Sequence, residues 1–195
     1  MSSSTKERIL DSAERLFSDA DLRTISLRDI TKDAGVNLAA VNYHFGSKEA
    51  LLKAVLERAF DPVNERRITW LDSLESQAGE KGPSVEDILQ AFLGPPFDAW
   101  SQSGDRGLRF FRLLGQIQTQ ANPEIQATLL NQFAKVLERY TQALERALPR
   151  VDPTEVRRRM LFVNGAMAQT MRFGSNSGGL KPEELDKMRA SLIHF

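Results

Sequence analysis

The side chains best suited to chemistry lie in one short segment, residues 37–48. Asn42 could hydrogen-bond an adenine edge, and the Tyr43 hydroxyl could donate to a phosphate. Ala39 and Ala40 are small enough to approach base edges closely, and their methyl groups could meet the methyl of thymine. These residue types point to contact with nucleic acid rather than to acid–base or nucleophilic catalysis.

The residue inventory argues against an enzyme. Of the two histidines, His44 lies in the segment just described and His194 lies near the end of the chain. There is no cysteine, which excludes disulfides, thiolate nucleophiles and cysteine-based metal sites. The sequence also contains no phosphate-cradling glycine loop and no cluster with metal-ligand spacing. We therefore expect no catalytic residue, no metal and no cofactor.

Two short helices joined by a glycine turn would position this segment. Ser26 stands three residues before Asp29, a weak capping-box pattern that predicts a helix start. Gly35 ends that helix, because glycine tolerates the left-handed conformation common at helix ends. Asn37 can cap the following helix, predicted over 38–45. This arrangement is the unit that places a helix in the DNA major groove.

The predicted second helix has an inner and an outer face. Val41 and Phe45 lie one turn apart and belong inside, which leaves Ala39, Asn42 and Tyr43 pointing largely outward. A small, polar outer face suits a base edge. Short helices with glycine turns also occur in helical bundles that bind no DNA, so spacing alone leaves that alternative open.

Polar residues on either side could bind the DNA backbone. Arg28, at the start of the preceding helix, is placed to reach a phosphate or a guanine. Ser47 and Lys48 open a fourth helix, whose free backbone N–H groups together with the lysine suit a phosphate. A first helix, capped by Ser4 or Thr5, precedes these elements.

The rest of the chain also has helical patterns, and the sequence predicts an all-α fold. Hydrophobic residues make up 41%, and neither long β-branched runs nor regularly spaced short strands occur. We expect Gly94-Pro95-Pro96 to kink or split its helix. The expected last helix reaches the end of the chain, which is compatible with truncation. Beyond Pro62 the expected helices cover 63–77, 84–101, 106–120, 124–148, 153–174 and 182–194.

Residues 24–37 and 39–52 closely resemble the DNA-binding domain of the tetracycline-repressor (TetR) family. The run Tyr43-His44-Phe45, followed by Lys48 and Leu51, carries the resemblance, which extends over about residues 5–60. It implies a three-helix DNA-binding domain with a helix-turn-helix over 1–47. It also implies a helical effector-binding and dimerisation domain over 48–195.

The resemblance implies roles for matching positions. Arg28 resembles a base- or phosphate-contacting residue, residues 37–43 resemble the recognition helix, and Lys48 resembles a phosphate anchor. Leu38 replaces a residue that is commonly polar in the family, and Asn42 one that is commonly tyrosine, so operator sequence cannot be carried over. The DNA-contacting residues predicted together are Arg28, Asn37, Leu38, Ala39, Ala40, Asn42, Tyr43, His44, Ser47 and Lys48. For His44 a packed imidazole that orients the helix is an equal alternative.

Large apolar residues between 70 and 114 could line a pocket for an apolar effector, although such stripes more often form plain core. The candidate ligand-binding residues are Trp70, Phe92, Trp100, Phe110, Phe111 and Leu114. The run Phe110 to Gly115, with the DNA-binding half, resembles the subgroup that answers fatty acids or acyl-CoA. The family resemblance also implies a homodimer on a palindromic operator of double-stranded DNA, released by ligand. A helical protein-binding adaptor without DNA activity is the alternative.

Charge and hydropathy set broader limits. Lys and Arg total 26, as do Asp and Glu, so any DNA affinity must come from the local arrangement of charges. The polar start of the chain lacks the apolar core of a signal peptide, and no apolar stretch is long enough to span a membrane. We expect a cytoplasmic protein without membrane contact.

Overall fold

The computed structural model describes residues 4–102, 107, 109, 112, 113, 123–176 and 182–194. Within these residues the regular structure is helical and no strand occurs, which confirms the predicted all-α fold. The α-helices of the described residues are α1 Thr5–Asp19, α2 Leu27–Ala34, α3 Leu38–His44, α4 Lys48–Ala78, α5 Val85–Gln102, α6 Pro123–Ala147, α7 Pro153–Asn176 and α8 Pro182–His194. A short 3₁₀ helix, Gly79–Lys81, follows α4.

Side-chain caps start the first four helices, as the sequence predicts. Ser4, Ser26, Asn37 and Ser47 each accept a hydrogen bond from the backbone N–H three residues later. The Asp29 carboxylate also accepts from the Ser26 backbone N–H at 2.8 Å, which completes the capping box. Each cap satisfies an amide that the helix leaves unpaired, and losing one such cap typically costs about 1 kcal/mol.

Two hydrophobic cores share α4. The first core packs α1, α2 and α3 against the amino-terminal part of α4 as far as Phe60. The second core packs the later part of α4, from Ile68 onward, against α5, α6 and α7. The first several turns of α4 thus pack with the amino-terminal helices. The predicted domain boundary between residues 47 and 48 stays a prediction. The helix α4 therefore joins the two cores, and Phe133 of α6 also packs against the first.

The prediction of a separate helix over 63–77 is wrong, because α4 runs without interruption from Lys48 through Pro62 to Ala78. Proline inside a helix removes one hydrogen bond and crowds the preceding turn, at a cost of about 3 kcal/mol. Leu56 and Phe60 are buried in the first core just before it, and Leu71 is buried in the second core after it. Packing on both sides holds the helix through the exposed proline.

Of the kink or split predicted at Gly94-Pro95-Pro96, the split is wrong, because α5 continues through these three residues, and the kink stays a prediction. Gly94 instead allows α5 to approach α4 closely. A Cβ atom at Gly94 would lie 2.8 Å from Cζ3 of Trp70, so any larger residue would require the indole or the helix to shift. The glycine therefore serves helix packing rather than a chain break.

The remaining predicted helices 84–101, 124–148, 153–174 and 182–194 agree with α5 to α8 to within two residues. The helix predicted over 106–120 lies almost entirely outside the described residues. None of the helices in the described parts of the chain combines the length and the apolar character that crossing a bilayer would require.

Candidate nucleic-acid interface

Gly35 sets the turn between α2 and α3. Its φ of 62° is left-handed, a conformation that glycine adopts without steric cost. The Nη2 atom of Arg8 donates to the carbonyls of Ala34 at 2.5 Å and Gly35 at 2.9 Å. A Cβ atom on Gly35 would lie 2.9 Å from that same nitrogen. The arginine of α1 thus holds the carboxyl end of α2 against the turn.

One side of α3 is anchored to the first core. Val41 is fully buried, as predicted from its position one turn before Phe45. Phe45 caps the helix rather than continuing it, and its ring is partly buried against the same core. The helix therefore ends one residue earlier than predicted, and its inner face is held by one buried aliphatic side chain and one capping aromatic.

The opposite side of α3 faces solvent. Ala39 and Asn42 are exposed, and Tyr43 is 86% exposed. Leu38 is 39% exposed at the start of the helix, and Ala40 is partly buried at the flank. The predicted outward face is therefore present, and it carries one amide, one phenol and small apolar groups that can approach a base edge.

His44 is exposed beside this face. Its ring makes an edge contact with the Tyr43 ring, with 5.1 Å between the ring centroids. It is tilted relative to the Phe45 ring, whose centroid lies 6.2 Å away. The sequence left open whether this imidazole is packed inside. Its exposure favours the alternative in which the imidazole is accessible and can donate to a phosphate oxygen.

Other predicted DNA-contacting residues lie around α3. Arg28 is exposed in the first turn of α2, and within the described residues it has no ion-pair partner. The amide oxygen of Asn37 accepts from the Ala40 N–H at 2.8 Å, so only its amino group remains for an outside acceptor. The Ser47 hydroxyl accepts from Ala50 at 3.1 Å and can still donate its own proton.

Lys48 already has a partner inside the chain, which the sequence did not reveal. Its ammonium group donates to the carbonyl of Leu22, in the loop between α1 and α2. Burial lowers the pKa of Lys48, while the neighbouring carboxylates of Glu49, Asp21 and Asp29 act in the opposite direction. An ammonium group has three donors, so this bond fixes the lysine at the α4 start and leaves donors for a phosphate.

Several cationic side chains of the amino-terminal unit pair with acids of the same unit. Arg15 pairs with Asp33, Arg23 with Asp21, and Lys53 with Glu57. The Arg23 guanidinium lowers the pKa of Asp21 to about 2. Arg28, in the first turn of α2, has no such partner among the described residues, so a chain of zero net charge can still present a local cation.

A network that the sequence analysis missed joins α1 to α4. Arg58 of α4 contacts three carboxylates of α1: Asp11 at 2.7 Å, Glu7 at 3.4 Å, and Glu14. These acids lie at helical spacing, four and then three residues apart, on one face of α1. This helical spacing of acidic residues is the sequence feature from which the network could have been predicted. The network fixes the orientation of the amino-terminal helices relative to α4.

The predicted ligand-binding residues have different environments. Phe92 is fully buried in the second core, where its ring stacks edge-on against Tyr140 at 5.1 Å. Trp70 is 37% exposed and packs on Gly94. Phe110, Phe111, Leu114 and the side chain of Trp100 lie outside the described residues. The roles predicted for all six residues stay predictions.

Comparison with known families matches both halves of the chain. Residues 9–55 match the family "Bacterial regulatory proteins, tetR family". Residues 90–195, more than half of the chain, match the family "Tetracyclin repressor-like, C-terminal domain". The two matches together cover the helix-turn-helix and most of the second core.

Individual proteins show the same relationship. The regulator AcrR of Shigella flexneri is 35% identical over 66 residues, 34% of this chain and 31% of its own length. The curated relatives are matched over only 26 to 41% of their length. Among solved structures, a TetR-family regulator from a Rhodococcus species has a TM-score of 0.72 at 16% identity, over 98% of both chains. The fatty acid degradation regulator FadR of Bacillus halodurans has a TM-score of 0.67 at 15% identity, over 96% of this chain and 97% of its own. At identities this low, the similarity of these structures shows a shared fold and nothing more specific.

Proposed function

The chain belongs to the tetR family of bacterial regulatory proteins, and we propose that it binds a specific DNA operator through the exposed face of α3. The observation that carries this proposal is the two-sided character of that helix. Val41 is buried, while Ala39, Asn42 and Tyr43 face solvent together. In this family of regulators neither an enzyme nor a protein-binding adaptor without DNA activity is favoured.

Base contacts come from the middle of α3 and phosphate contacts from its surroundings. Asn42 reads a base edge, and the alanine at position 39 lets the helix approach closely. Tyr43, His44 and Lys48 bind phosphates on one side, and Arg28 binds a phosphate or a guanine on the other. This division predicts that some substitutions change sequence preference whereas others change overall affinity.

The operator is a palindrome bound by a homodimer. A twofold dimer presents two copies of α3 to major-groove segments separated by one helical turn or a multiple of it. Exposed apolar side chains on α7 suit the dimer contact: Leu161 is 62% exposed and Phe162 is 67% exposed. Exposed Gly165 and Ala166, one turn further on, let a partner helix approach closely.

Other large apolar side chains of α6 and α7 do not lie at this surface. Val136, Tyr140, Leu144, Met160 and Met167 are buried in the core of the same chain. They therefore support the helices from within. The neighbouring apolar pair Leu161-Phe162 is left at the surface.

An apolar effector in the second core releases the DNA, so the protein acts as a repressor. Because α4 passes through both cores without a break, a displacement near its later turns reaches the amino-terminal helices directly. A coupling free energy of about 1–3 kcal/mol would suffice. A fatty acid or acyl-CoA is the effector class that we propose. The shared fold with FadR of Bacillus halodurans is compatible with that class.

A gel-shift selection on fragments of genomic DNA tests this function. Fragments retained by the protein are sequenced, and the best one is titrated with salt and compared with scrambled DNA of equal length. We expect a palindromic motif and binding at least about a thousandfold tighter than to the scrambled sequence. Equal affinity for both DNAs, or no binding at low salt, would contradict the proposal.

A further inference from the structure

A fully buried arginine lies where α4 meets α5, α6 and α7. Arg67 of α4 is 1% exposed. Its Nε atom donates to the Phe92 carbonyl at 2.8 Å, Nη1 donates to the Asn64 amide oxygen at 3.2 Å, and Nη2 donates to the Met167 sulfur at 3.4 Å. The guanidinium carbon lies 4.2 Å from the centre of the Phe92 ring.

The acceptors that the described residues offer this cation are all neutral. Within the described residues no carboxylate lies within ion-pair distance of Arg67, although other arginines have several. Arg58, which is less buried, contacts three acids of α1. Arg139, also more exposed, pairs with Asp72 and Glu75. Arg67, the most deeply buried of the described arginines, thus has no counterion among the described residues.

Such a cation is costly to bury. Removing a charge from water is compensated only by a counterion and a full set of hydrogen bonds. The ring of Phe92 offsets part of the cost, but the thioether of Met167 is a weak acceptor. Burial lowers the pKa of Arg67 to about 10, so the group still carries its charge near neutral pH. The site favours any anion that can reach it.

We propose that Arg67 binds the carboxylate of an anionic amphiphile whose apolar body lies in the second core. This inference rests on the proposed function, since it specifies the effector of that regulator. A carboxylate oxygen replaces the Met167 sulfur on Nη2 and forms a charge-assisted hydrogen bond. The second core, which includes the buried side chains of Leu71, Ile88 and Phe92, provides the apolar surroundings. A free acid fits this cation better than a CoA thioester, whose acyl end is neutral.

Replacing the contact between Arg67 and Met167 by a contact with the ligand would affect both the DNA-binding surface and the proposed dimer surface. Met167 lies on α7, the helix that exposes Leu161 and Phe162 for the proposed dimer contact. Arg67 lies on α4, 19 residues after Lys48, or about 28 Å along the helix axis. Releasing the contact between Arg67 and Met167 frees α4 and α7 to move relative to each other.

The test compares ligands that differ only at the head group. Wild-type protein is titrated with dodecanoate, 1-dodecanol and dodecanoyl-CoA, and binding is measured by calorimetry and by release from operator DNA. We expect dodecanoate to bind about ten- to a hundredfold more tightly than the alcohol, because a hydrogen bond to a charged group is strong. Equal affinities for the acid and the alcohol, or a preference for the CoA ester, would overturn the proposal. This comparison of ligands needs only the wild-type protein.

Variants then assign the preference to one residue. Arg67→Met should abolish the preference for the acid, and Arg67→Lys, which retains the charge, should keep a reduced one. Arg66→Met is the matched control, because Arg66 neighbours Arg67 but is half exposed and pairs with Asp98. If both Arg67 variants prefer the acid as strongly as wild type, Arg67 is not the anchor. DNA binding without ligand is measured in parallel. If wild-type protein without ligand does not bind operator DNA, the proposed function is refuted. If it binds DNA but has equal affinities for dodecanoate and 1-dodecanol, only the role of Arg67 is refuted.

Discussion

Replacing Asn42 by alanine should separate DNA recognition from folding. The Asn42 side chain is exposed on α3 and makes no hydrogen bond within the described residues, whereas its backbone carbonyl accepts from the N–H of Gly46 at 3.0 Å. Removing an exposed amide of this kind should change the free energy of unfolding by less than about 0.5 kcal/mol. We therefore expect no change in the denaturation midpoint.

The effect on DNA should be large and local. A side-chain amide that forms two bonds with an adenine contributes about 1–3 kcal/mol of discrimination, or about 5- to 150-fold per half-site. Binding to operators with each base varied in turn measures this quantity. We expect Asn42→Ala to lose preference at one base pair of each half-site and to keep it at the others.

The neighbouring residue supplies the matched control. Val41 is fully buried, so Val41→Ala removes apolar volume from the first core and should cost about 2 kcal/mol of stability. Protein that remains folded should retain the base preference of wild type. Unchanged base preference in Asn42→Ala would remove this residue from recognition, and a lower denaturation midpoint would show that its side chain supports the fold.

Three further substitutions probe the phosphate contacts, the dimer and the response to acid. Lys48→Ala should weaken binding to all DNA alike and flatten its salt dependence by about one unit of slope in a log–log titration, whereas a new operator preference would contradict the phosphate role. Phe162→Glu should convert the dimer to monomer in sedimentation and weaken operator binding, while Thr154→Glu on the same helix should do neither; a dimeric Phe162→Glu would rule out this face. A hydrogen bond from Ser12 at 2.6 Å holds the pKa of Asp33 below its usual range, so its contribution to stability is complete above about pH 4 and is lost as pH falls through the lowered pKa. Acid denaturation of Asp33→Asn should therefore lose less stability below about pH 4 than wild type, and parallel curves would refute this linkage.

Local signals account for what the sequence predicts well. Ser26, Asn37 and Ser47 cap their helices through side chains only three residues from the amides they satisfy. Gly35 ends α2 because its own backbone conformation is left-handed. The outward placement of Asn42 then follows from helical spacing once Val41 is assigned to the core.

Long-range packing accounts for what the sequence does not predict. Proline at 62 normally ends a helix, yet buried residues on both sides of it keep α4 continuous. Lys48 reaches the carbonyl of Leu22 across 26 residues of sequence, which no local pattern indicates. Arg67 resembles any charge on an amphipathic helix until α5, α6 and α7 are packed around it. Its neutral surroundings are a property of the assembled core.

Cross-linking of single-cysteine variants to an operator with a thiol-tethered base tests the central claim most directly. The chain has no native cysteine, so Ala39→Cys introduces one unique thiol on the exposed face of α3. Thr69→Cys, exposed on the later part of α4, serves as the control. We expect Ala39→Cys to form a disulfide with a base tethered in the major groove of each half-site, and Thr69→Cys to form none. Equal cross-linking of both variants, or none at position 39 on an operator that the protein binds tightly, would contradict the account.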